Sequence, residues 1–304
     1  MNKVIRIGTR ESQLALWQAN TVKDLLHKYG YRSELVLIKS DGDTDLKTPL
    51  YEIGVQGIFT RALDIALLEG AIDIAVHSMK DVPTVMAKGI IQASVLPRAS
   101  YKDLLVPPSG KSFNEHSSVP AIIGTSSIRR KAQWLNRYPQ DSIENLRGNV
   151  NTRLRKVEES NWSGAIFAAA GLERIGLRPE NAVELDWMLP APAQGAILVV
   201  CRDGDNYALE ACGHFHDEHT ALCTRIEREF LRELLGGCST PISAFAKVID
   251  EKVVFEGNIL SKDGKQKKEI KKEADLNDIT NLGADAAKEL LQNGGQEILD
   301  GIMN

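Results

Sequence analysis

Short apolar runs alternate with longer amphipathic segments through the first third of the chain. The runs "VIRIG" (4–8) and "SELVLIK" (33–39) predict buried strands. Between them, apolar side chains recur at roughly helical spacing, at Leu14, Trp17, Val22, Leu25 and Tyr29. "GIFTRALDIALLEG" (57–70) predicts a second helix, and "AIDIAVHSMKD" (71–81) predicts a strand that runs into a loop. Strands that alternate with helices indicate an α/β domain with a largely parallel sheet.

The same order of elements restarts after a polar stretch, "RASYKDLLVPPSGKSFNEHSS" (98–118), which we interpret as a break in the pattern. "AIIGTSSIRRKAQWLNRY" (121–138) again predicts an apolar strand, an Ile-Gly-Thr turn and an amphipathic helix. This repeats the architecture of the N-terminal segment and not its sequence. "GAIFAAAGLERIG" (164–176) adds a strand and a helix, and "LPAPAQGAILVVC" (189–201) predicts a proline-containing crossing with a strand able to return to the first sheet.

The C-terminal part of the chain has a different pattern. "DEHTALCTRIEREFLRELLGG" (217–237) predicts one long helix, which is followed by two strands around "KDG" turns and then by helices. We therefore expect two α/β lobes with mixed, largely parallel sheets and a C-terminal α+β domain. The expected boundaries are 1–98 with 195–213 for the first lobe, 99–194 for the second and 217–304 for the third domain. Two similar lobes joined by a crossing usually bind a ligand in their cleft, whereas two unrelated globular domains are the alternative.

The composition is that of an ordinary globular protein. The 304 residues are 43% hydrophobic and 26% charged, with a net charge of −4, which argues against a nucleic-acid or membrane-surface partner. The N-terminus enters a strand pattern at once, so we expect no signal peptide and a cytoplasmic protein. No C-x-x-C pair is present, so we expect four free thiols, at Cys201, Cys212, Cys223 and Cys238.

Both Ile-Gly-Thr turns place hydroxyls and backbone N–H groups at a predicted helix start, where an anion is favoured. The first turn contains Thr9, Arg10 and Ser12; the second contains Thr125, Ser126, Ser127, Arg129 and Arg130. Adjacent helical residues point about 100° apart, so we expect Arg129 and Arg130 to face different groups. The alternative is that the hydroxyls are ordinary helix caps and that the arginines are solvated.

Three further arginines follow, Arg147, Arg153 and Arg174, and arginine offers a planar fork suited to carboxylates or phosphates. No P-loop or G-x-G-x-x-G motif is present, so the arginines indicate a ligand with several carboxylates and not a nucleotide.

"VHSMKDVP" (76–83) leaves an apolar strand and presents His77, Ser78, Lys80 and Asp81 at the carboxyl end, where α/β folds bind ligands. In the alternative interpretation, Asp81 caps a turn before Pro83. Cys238, in "LLGGCSTP" (234–241), follows two glycines and lies outside any apolar run. A thiol in such a place is suited to react, whereas a structural cysteine is normally buried among apolar residues.

Five motifs in this order give the chain a resemblance to the porphobilinogen deaminase (hydroxymethylbilane synthase) family of tetrapyrrole and haem biosynthesis. They are "HSMKDVP", "GTSSIRR", "LRGNVNTRL", "PAPAQGA" and "LLGGCSTP", and the resemblance begins at "RIGTRESQLALWQA". It implies three domains, the first two like periplasmic solute-binding lobes. It also implies a dipyrromethane cofactor on Cys238 through a thioether, made from the enzyme's own substrate. Four porphobilinogen units are added one at a time with loss of ammonia, and hydrolysis frees 1-hydroxymethylbilane.

The resemblance also implies roles for individual residues. Asp81 is the expected catalytic carboxylate with Lys80 beside it, able to stabilise the cationic azafulvene left by ammonia and to pass a proton to the departing amine. Besides Cys238, the residues expected to bind the cofactor are Ser12, Lys80, Asp81, Thr125, Ser127, Arg129 and Arg130. Those expected to bind substrate are Arg10, Phe59, Arg147, Arg153, Arg174 and Gln194. The implied partner is porphobilinogen, and the implied oligomeric state is a monomer.

Some residues depart from the family pattern. Glu52 and Gln56 stand where lysine is frequent, and Lys47 stands where an acidic residue is common, which puts details of the lid in doubt. No metal site is expected, because "CGHFHDEH" (212–219) lacks a second group of ligands. One alternative function is a non-catalytic solute-binding module for a small polycarboxylate, which has no use for Cys238. Another is a cysteine hydrolase, which needs a histidine near Cys238 and a residue to orient it.

Overall fold

The computed structural model describes residues 3–40, 60–114, 119–234 and 240–303. Its strands, in chain order, are β1 Ile5–Thr9, β2 Ser33–Leu37, β3 Ile74–Ser78, β4 Ile90–Val95, β5 Asp103–Val106, β6 Ile122–Gly124, β7 Ser142–Glu144, β8 Gly164–Ala168, β9 Val183–Glu184, β10 Ile197–Arg202, β11 Ile242–Ile249, β12 Lys252–Leu260 and β13 Lys267–Asp275.

The helices of these residues are α1 Gln13–Lys28, α2 Arg61–Leu68, α3 Ile128–Arg137, α4 Val150–Glu159, α5 Ala169–Glu173, α6 Asn206–Gly213, α7 Glu218–Glu233, α8 Leu282–Leu290 and α9 Gln296–Met303. None of them is both long enough and apolar enough to cross a bilayer. The chain forms two compact units. The first takes in residues 3–40, 60–99 and 195–222, and the second takes in 100–114, 119–194, 223–234 and 240–303.

The sheet of the first unit has the order β2–β1–β3–β10–β4. β1 is parallel to β2 and β3, whereas β10 lies antiparallel between β3 and β4. The strand after the proline-containing crossing therefore does return to the first sheet, as its sequence predicted. Its core packs Ile5, Ile7, Ile74 and Val199 against Val22 of α1.

The sheet of the second unit has the order β7–β6–β8–β5–β9. β6 is parallel to β7 and β8, and β5 runs antiparallel to β8 and β9. The expectation that residues 98–118 are only a break in the pattern was wrong, because "DLLV" in that stretch is β5 and all four residues are buried. The strand is short and begins with a charged residue, Asp103, so its apolar run was not distinctive.

The C-terminal part of the second unit is an antiparallel meander, β11–β12–β13, with α8 and α9. The sequence predicted two strands around the KDG turn, and these are β12 and β13. The structure adds a third strand, β11, which the sequence analysis did not assign. β13 buries only Ile270, and its charged residues suit the edge of a sheet.

Candidate functional site

The two Ile-Gly-Thr turns have the same local construction. Ser12 caps α1 by accepting a hydrogen bond from the Ala15 N–H (3.3 Å), and Ser127 caps α3 by accepting one from the Arg130 N–H (3.4 Å). The two contacts confirm that both hydroxyls act as helix caps. A hydroxyl that accepts such a bond can still donate its own proton to a carboxylate.

Each turn also contains a glycine at a place that has no room for a side chain. A Cβ at Gly8 would overlap Ile72, and a Cβ at Gly124 would overlap the ring of Trp162. Close packing, and not unusual backbone geometry, thus explains why glycine stands before the threonine in both lobes.

The carboxyl end of β3 continues into a single 3₁₀ turn, Met79–Asp81. Ser78 Oγ accepts a hydrogen bond from Gln18 Nε2 of α1 (2.9 Å), and the Met79 N–H donates to Ala196 O (3.0 Å), so the strand end is held from both sides. Lys80 and Asp81 are half-buried. Among the described residues, no hydrogen bond or ion pair of the Asp81 carboxylate is found, so the turn-capping interpretation of this side chain has no support there.

His77 precedes this turn and is buried. Burial, together with the positive charge of Arg10, lowers the pKa of His77 to about 4. The imidazole is therefore uncharged at neutral pH, and the charge of Arg10 acts on the same end of β3 that presents Lys80 and Asp81.

Asp103 is the centre of a buried polar cluster in the second unit. Its Oδ2 accepts a hydrogen bond from Arg129 Nη2 (2.7 Å), and its Oδ1 accepts from Arg130 Nη2 (2.7 Å) and Nε (3.2 Å) and from Gln194 Nε2 (2.9 Å). The expectation that the two adjacent arginines face different groups was wrong. Two long side chains reach the two oxygens of one carboxylate despite the rotation between their Cα atoms.

Backbone carbonyls complete the hold on the two guanidinium groups. Arg129 Nη1 donates to Leu189 O (2.7 Å), and Arg130 Nη1 donates to Ile166 O (2.9 Å). Both arginines are buried, and Asp103 has no exposed surface. Burial by itself raises the pKa of Asp103, but the charges and hydrogen bonds of Arg129 and Arg130 outweigh it and hold that pKa far below its usual range.

The register of the sheet places this cluster at its carboxyl end. Asp103 pairs with Ala168, the last residue of β8, and β8 is parallel to β6. Thr125 follows β6 directly, and its Oγ1 accepts from the Ser127 N–H (3.2 Å). Ligands of open α/β sheets bind beyond this end of the strands. Thr125, Ser127, Arg129, Arg130 and Gln194, predicted separately, thus belong to one neighbourhood.

The remaining predicted arginines also lie in the second unit. Arg147 is buried just before α4, and Arg153 lies in the first turn of α4, where its Nε donates to Gly148 O (2.7 Å). Arg174 follows α5 and is half-buried, and burial lowers its pKa to about 10. It therefore stays cationic at neutral pH.

Several predicted residues lie outside the described part of the chain. They are Lys47, Glu52, Gln56, Phe59 and Cys238. The other three cysteines form no disulfide among the described residues and are buried. Burial raises the pKa of Cys201 to about 11 and that of Cys212 to about 12, so both are protonated and poor nucleophiles at neutral pH.

Two of the three histidines of residues 212–219, His214 and His216, have structural partners. His214 stacks on Tyr29, with ring centroids 5.0 Å apart, and His216 Nδ1 accepts a hydrogen bond from the Val95 N–H (3.0 Å). In the described ranges there is no group of three or more histidine, cysteine or acidic side chains that could hold a metal ion.

Asp103 is the residue that the sequence analysis missed. It lies directly before an apolar run, "LLV", in a stretch classified as polar. An acidic residue that directly precedes an apolar run needs a cationic partner once it is buried, and the sequence offers two adjacent arginines, Arg129 and Arg130, which the analysis assigned to a ligand alone.

Comparison with known proteins matches nearly the whole chain. Residues 5–210 match the model of the porphobilinogen deaminase dipyromethane cofactor binding domain, and residues 221–292 match that of the porphobilinogen deaminase C-terminal domain. The chain is 42% identical over 304 residues to the porphobilinogen deaminase of Syntrophotalea carbinolica, covering 98% of this chain and 96% of that one. It is 41% identical over 299 residues to that of Moorella thermoacetica, covering 97% and 95%.

Among solved structures, the chain is similar to the methionine binding protein MetQ. The TM-score is 0.45 and the identity 14%, over 72% of this chain and 92% of that one. At this identity the likeness concerns the fold alone.

Proposed function

The chain belongs to the porphobilinogen deaminase family, and we propose that Cys238 carries its dipyrromethane cofactor and that Asp81 is its catalytic carboxylate. The enzyme is a hydroxymethylbilane synthase. It condenses four porphobilinogen molecules head to tail with loss of ammonia, and hydrolysis then releases 1-hydroxymethylbilane.

The donor set at the carboxyl end of the second sheet fits a group that bears carboxylates. Guanidinium N–H groups and hydroxyls converge there, and the described residues do not use all the donors of Arg129 and Arg130. When bound, the dipyrromethane supplies the end to which the first substrate unit is joined. The residues proposed to hold its carboxylates, or to lie against it, are Ser12, Lys80, Asp81, Thr125, Ser127, Arg129 and Arg130.

One observation carries the assignment of Asp81: a half-buried carboxylate stands at the carboxyl end of β3 with no partner among the described residues. Such a group is available to a cation that develops when ammonia leaves. It can also pass a proton to the departing amine. Lys80 lies in the same turn as Asp81.

Substrate and growing chain are proposed to bind through Arg10, Phe59, Arg147, Arg153, Arg174 and Gln194. Each porphobilinogen brings an acetate and a propionate, so cationic partners are required at every stage of growth. Gln194 differs from the others because its Nε2 donates to Tyr101 O (2.8 Å) as well as to Asp103. Both of its amide hydrogens are thus engaged, and a carboxylate of the substrate is not the group it recognises.

The thiols of the described residues support Cys238 as the attachment site. Cys201, Cys212 and Cys223 are buried, and a thiol that forms a thioether must be reached by its ligand. Cys238 follows two glycines in the sequence.

Mass spectrometry of the denatured protein, expressed in cells that make porphobilinogen, tests this proposal. We expect an excess over the sequence mass equal to two porphobilinogen units less two ammonias, on the peptide that contains Cys238. Cys238→Ala is expected to abolish the excess and all synthesis, whereas Cys223→Ala, the matched control, keeps both. An active protein with the bare sequence mass, or an adduct on another cysteine, contradicts the proposal.

We also propose a division into three domains, at 1–98 with 195–213, 99–194 and 217–304, and a cytoplasmic monomer. Support comes from the separate antiparallel sheet at the C-terminal end and from the modest net charge. Light scattering during gel filtration tests the oligomeric state, for which a dimer mass is the contrary result.

A further inference from the structure

We propose that Asp103 is a positioning residue that holds Arg129 and Arg130 side by side and reduces their combined charge to a single positive charge, so that the carboxylates of the dipyrromethane, which forms the first two units of the growing chain, are held while the chain can still advance. The inference rests on the proposed role of the two arginines as carboxylate-binding groups. Asp103 is not among the residues to which the proposed function gives a role.

Asp103 fixes the side chains of Arg129 and Arg130. Each oxygen of its carboxylate binds a different guanidinium, at 2.7 Å in both cases, and Gln194 fixes the carboxylate itself. The carbonyls of Leu189 and Ile166 hold the far side of the two guanidinium groups. With so many contacts on buried groups, neither arginine can turn away without breaking charged hydrogen bonds.

The arrangement leaves donors for a ligand. A guanidinium has five N–H groups. Toward the described part of the chain, Arg129 donates one hydrogen from each Nη atom, which leaves its Nε–H and two others. Arg130 donates its Nε–H and one hydrogen from each Nη atom to described residues, which leaves two. Asp103 therefore orients the two guanidinium groups and uses only some of their donors.

Asp103 also reduces the charge of the two arginines. Asp103 is ionised throughout the physiological range, because its pKa is held far below the usual value. Two arginines with one permanent carboxylate carry a net charge of about +1, and because all three are buried, water screens this charge little. A chain that gains two carboxylates with every unit has to shift after each addition. An uncompensated pair would hold it too tightly to shift.

Asp103→Asn is the primary test, with Asp73→Asn as the matched control. Asp73 is likewise buried and bound to arginines, but it lies in the first unit at the amino end of β3. The proteins are given limiting porphobilinogen, and the covalently attached chains are followed with time by denaturing mass spectrometry. For Asp103→Asn we expect the longest chains to accumulate and their discharge to slow about tenfold, which is about 1.4 kcal/mol. For Asp73→Asn we expect the pattern and rate of the parent protein.

A folded Asp103→Asn protein with the parent chain distribution and discharge rate overturns the proposal. If that variant does not fold, the comparison of Arg130→Gln with Asp103→Asn/Arg130→Gln decides. The single variant brings the net charge to zero, so we expect KM to rise about tenfold. The double variant restores a single positive charge. We therefore expect its KM for porphobilinogen to return, on a logarithmic scale, at least half of the way from the value of the single variant to that of the parent protein. A double variant with the KM of the single one contradicts the charge argument.

The same spectra separate this inference from the proposed function. Absence of the two-unit adduct on Cys238 in the parent protein means that the proposed function is wrong. A normal adduct, with chain discharge that is indifferent to Asp103, means that only the role of Asp103 is wrong.

Discussion

Asp73 and Asp103 are both buried aspartates bound by arginines, one in each unit, but they lie at opposite ends of their sheets. Asp73 directly precedes β3 and accepts hydrogen bonds from Arg6 Nε (3.0 Å) and Nη2 (3.0 Å), with Arg202 Nη2 at 3.3 Å. Asp103 lies opposite the last residue of β8. The first cluster is at the amino end of the parallel strands, and the second is at the carboxyl end, where ligands bind.

The two clusters also differ in hydration. The side chains of Arg6 and Arg202 are 35% and 25% exposed, whereas those of Arg129 and Arg130 are 6% and 8% exposed. Partly hydrated arginines lose little when their partner is changed, but dry ones lose a great deal. The same residue types thus form a cluster that tolerates a change of partner in the first sheet. In the second sheet they form a cluster in which loss of a partner costs much folding free energy. The cost at the carboxyl end is understandable if that arrangement serves binding.

The largest effect is expected when the stability of the two clusters is compared directly. Asp103→Asn leaves two buried guanidinium groups without a counter-charge and should cost about 3–5 kcal/mol of unfolding free energy. Asp73→Asn should cost about 2 kcal/mol, because water compensates its arginines in part. Urea unfolding of both variants measures the difference. Equal losses would show that hydration does not distinguish the clusters.

The two ends of β3 offer the next test. Asp81→Asn, at the carboxyl end, should lower kcat about 10²-fold or more, because a preorganised charge is lost beside the reacting group. Its unfolding free energy should stay that of the parent. Asp73→Asn, at the amino end of the same strand, should show the reverse: lower stability with unchanged kcat. A folded Asp81→Asn enzyme with near-parent turnover would assign Asp81 to structure.

Acid should weaken both clusters in the same pH range. The folded-state pKa values of Asp73 and Asp103 lie below the unfolded value of about 3.9, so their contribution is complete above that pH and is lost as the pH falls toward the folded values. We expect a loss on the order of 2 kcal/mol for each group below about pH 4. At higher pH the buried His77 adds a loss of its own: its pKa is lowered from 6.5 to about 4, so the uncharged imidazole stabilises the fold above pH 6.5 and this contribution is lost as the pH falls toward 4.

Chemical unfolding at a series of pH values measures these losses. Asp73→Asn and Asp103→Asn should each flatten the curve below pH 4 and leave the part between pH 4 and 6.5 unchanged. A variant whose acid limb is as steep as that of the parent shows that the carboxylate is not the titrating group.

The smallest effect is expected from the helix caps of the two turns. Ser12→Ala and Ser127→Ala should each cost about 1 kcal/mol, because each leaves a backbone N–H at a helix start without its acceptor. Ser12→Thr and Ser127→Thr keep an acceptor and are the controls. Thermal unfolding would reveal a difference between the turns if only one of the serines acts as a cap in solution.

Much of the fold follows from the alternation of apolar runs with amphipathic segments. β1, β3, β6 and β8 each lie in a clear apolar run. The position of β10 after the proline-containing crossing was enough to predict that it joins the first sheet. The analysis did not predict β4, β5, β7, β9 or β11. The identity of β5 depends on neighbours supplied by the fold, namely the arginines that compensate Asp103.

The candidate site shows the same division. Residue types and motif order were sufficient to select Asp81 and the arginines as candidates. The convergence of Arg129 and Arg130 on one carboxylate was not predictable, because residue spacing gives directions of Cα–Cβ bonds and not the reach of long side chains. Asp103 itself comes from a distant strand, and only the register of β5 against β8 brings it to the two arginines.

The position of β10 between β3 and β4 has a consequence for how this chain is made. Residues 100–194 are synthesised before β10, which begins at Ile197. All strands of the second sheet have therefore been synthesised while the first sheet still lacks an interior strand. Until then β3 and β4 expose unpaired edges on the nascent chain. Long-range pairing of this kind is slow and prone to aggregation. The first unit, which begins to emerge from the ribosome first, therefore completes its sheet last. It is the unit in which chaperones would be most needed.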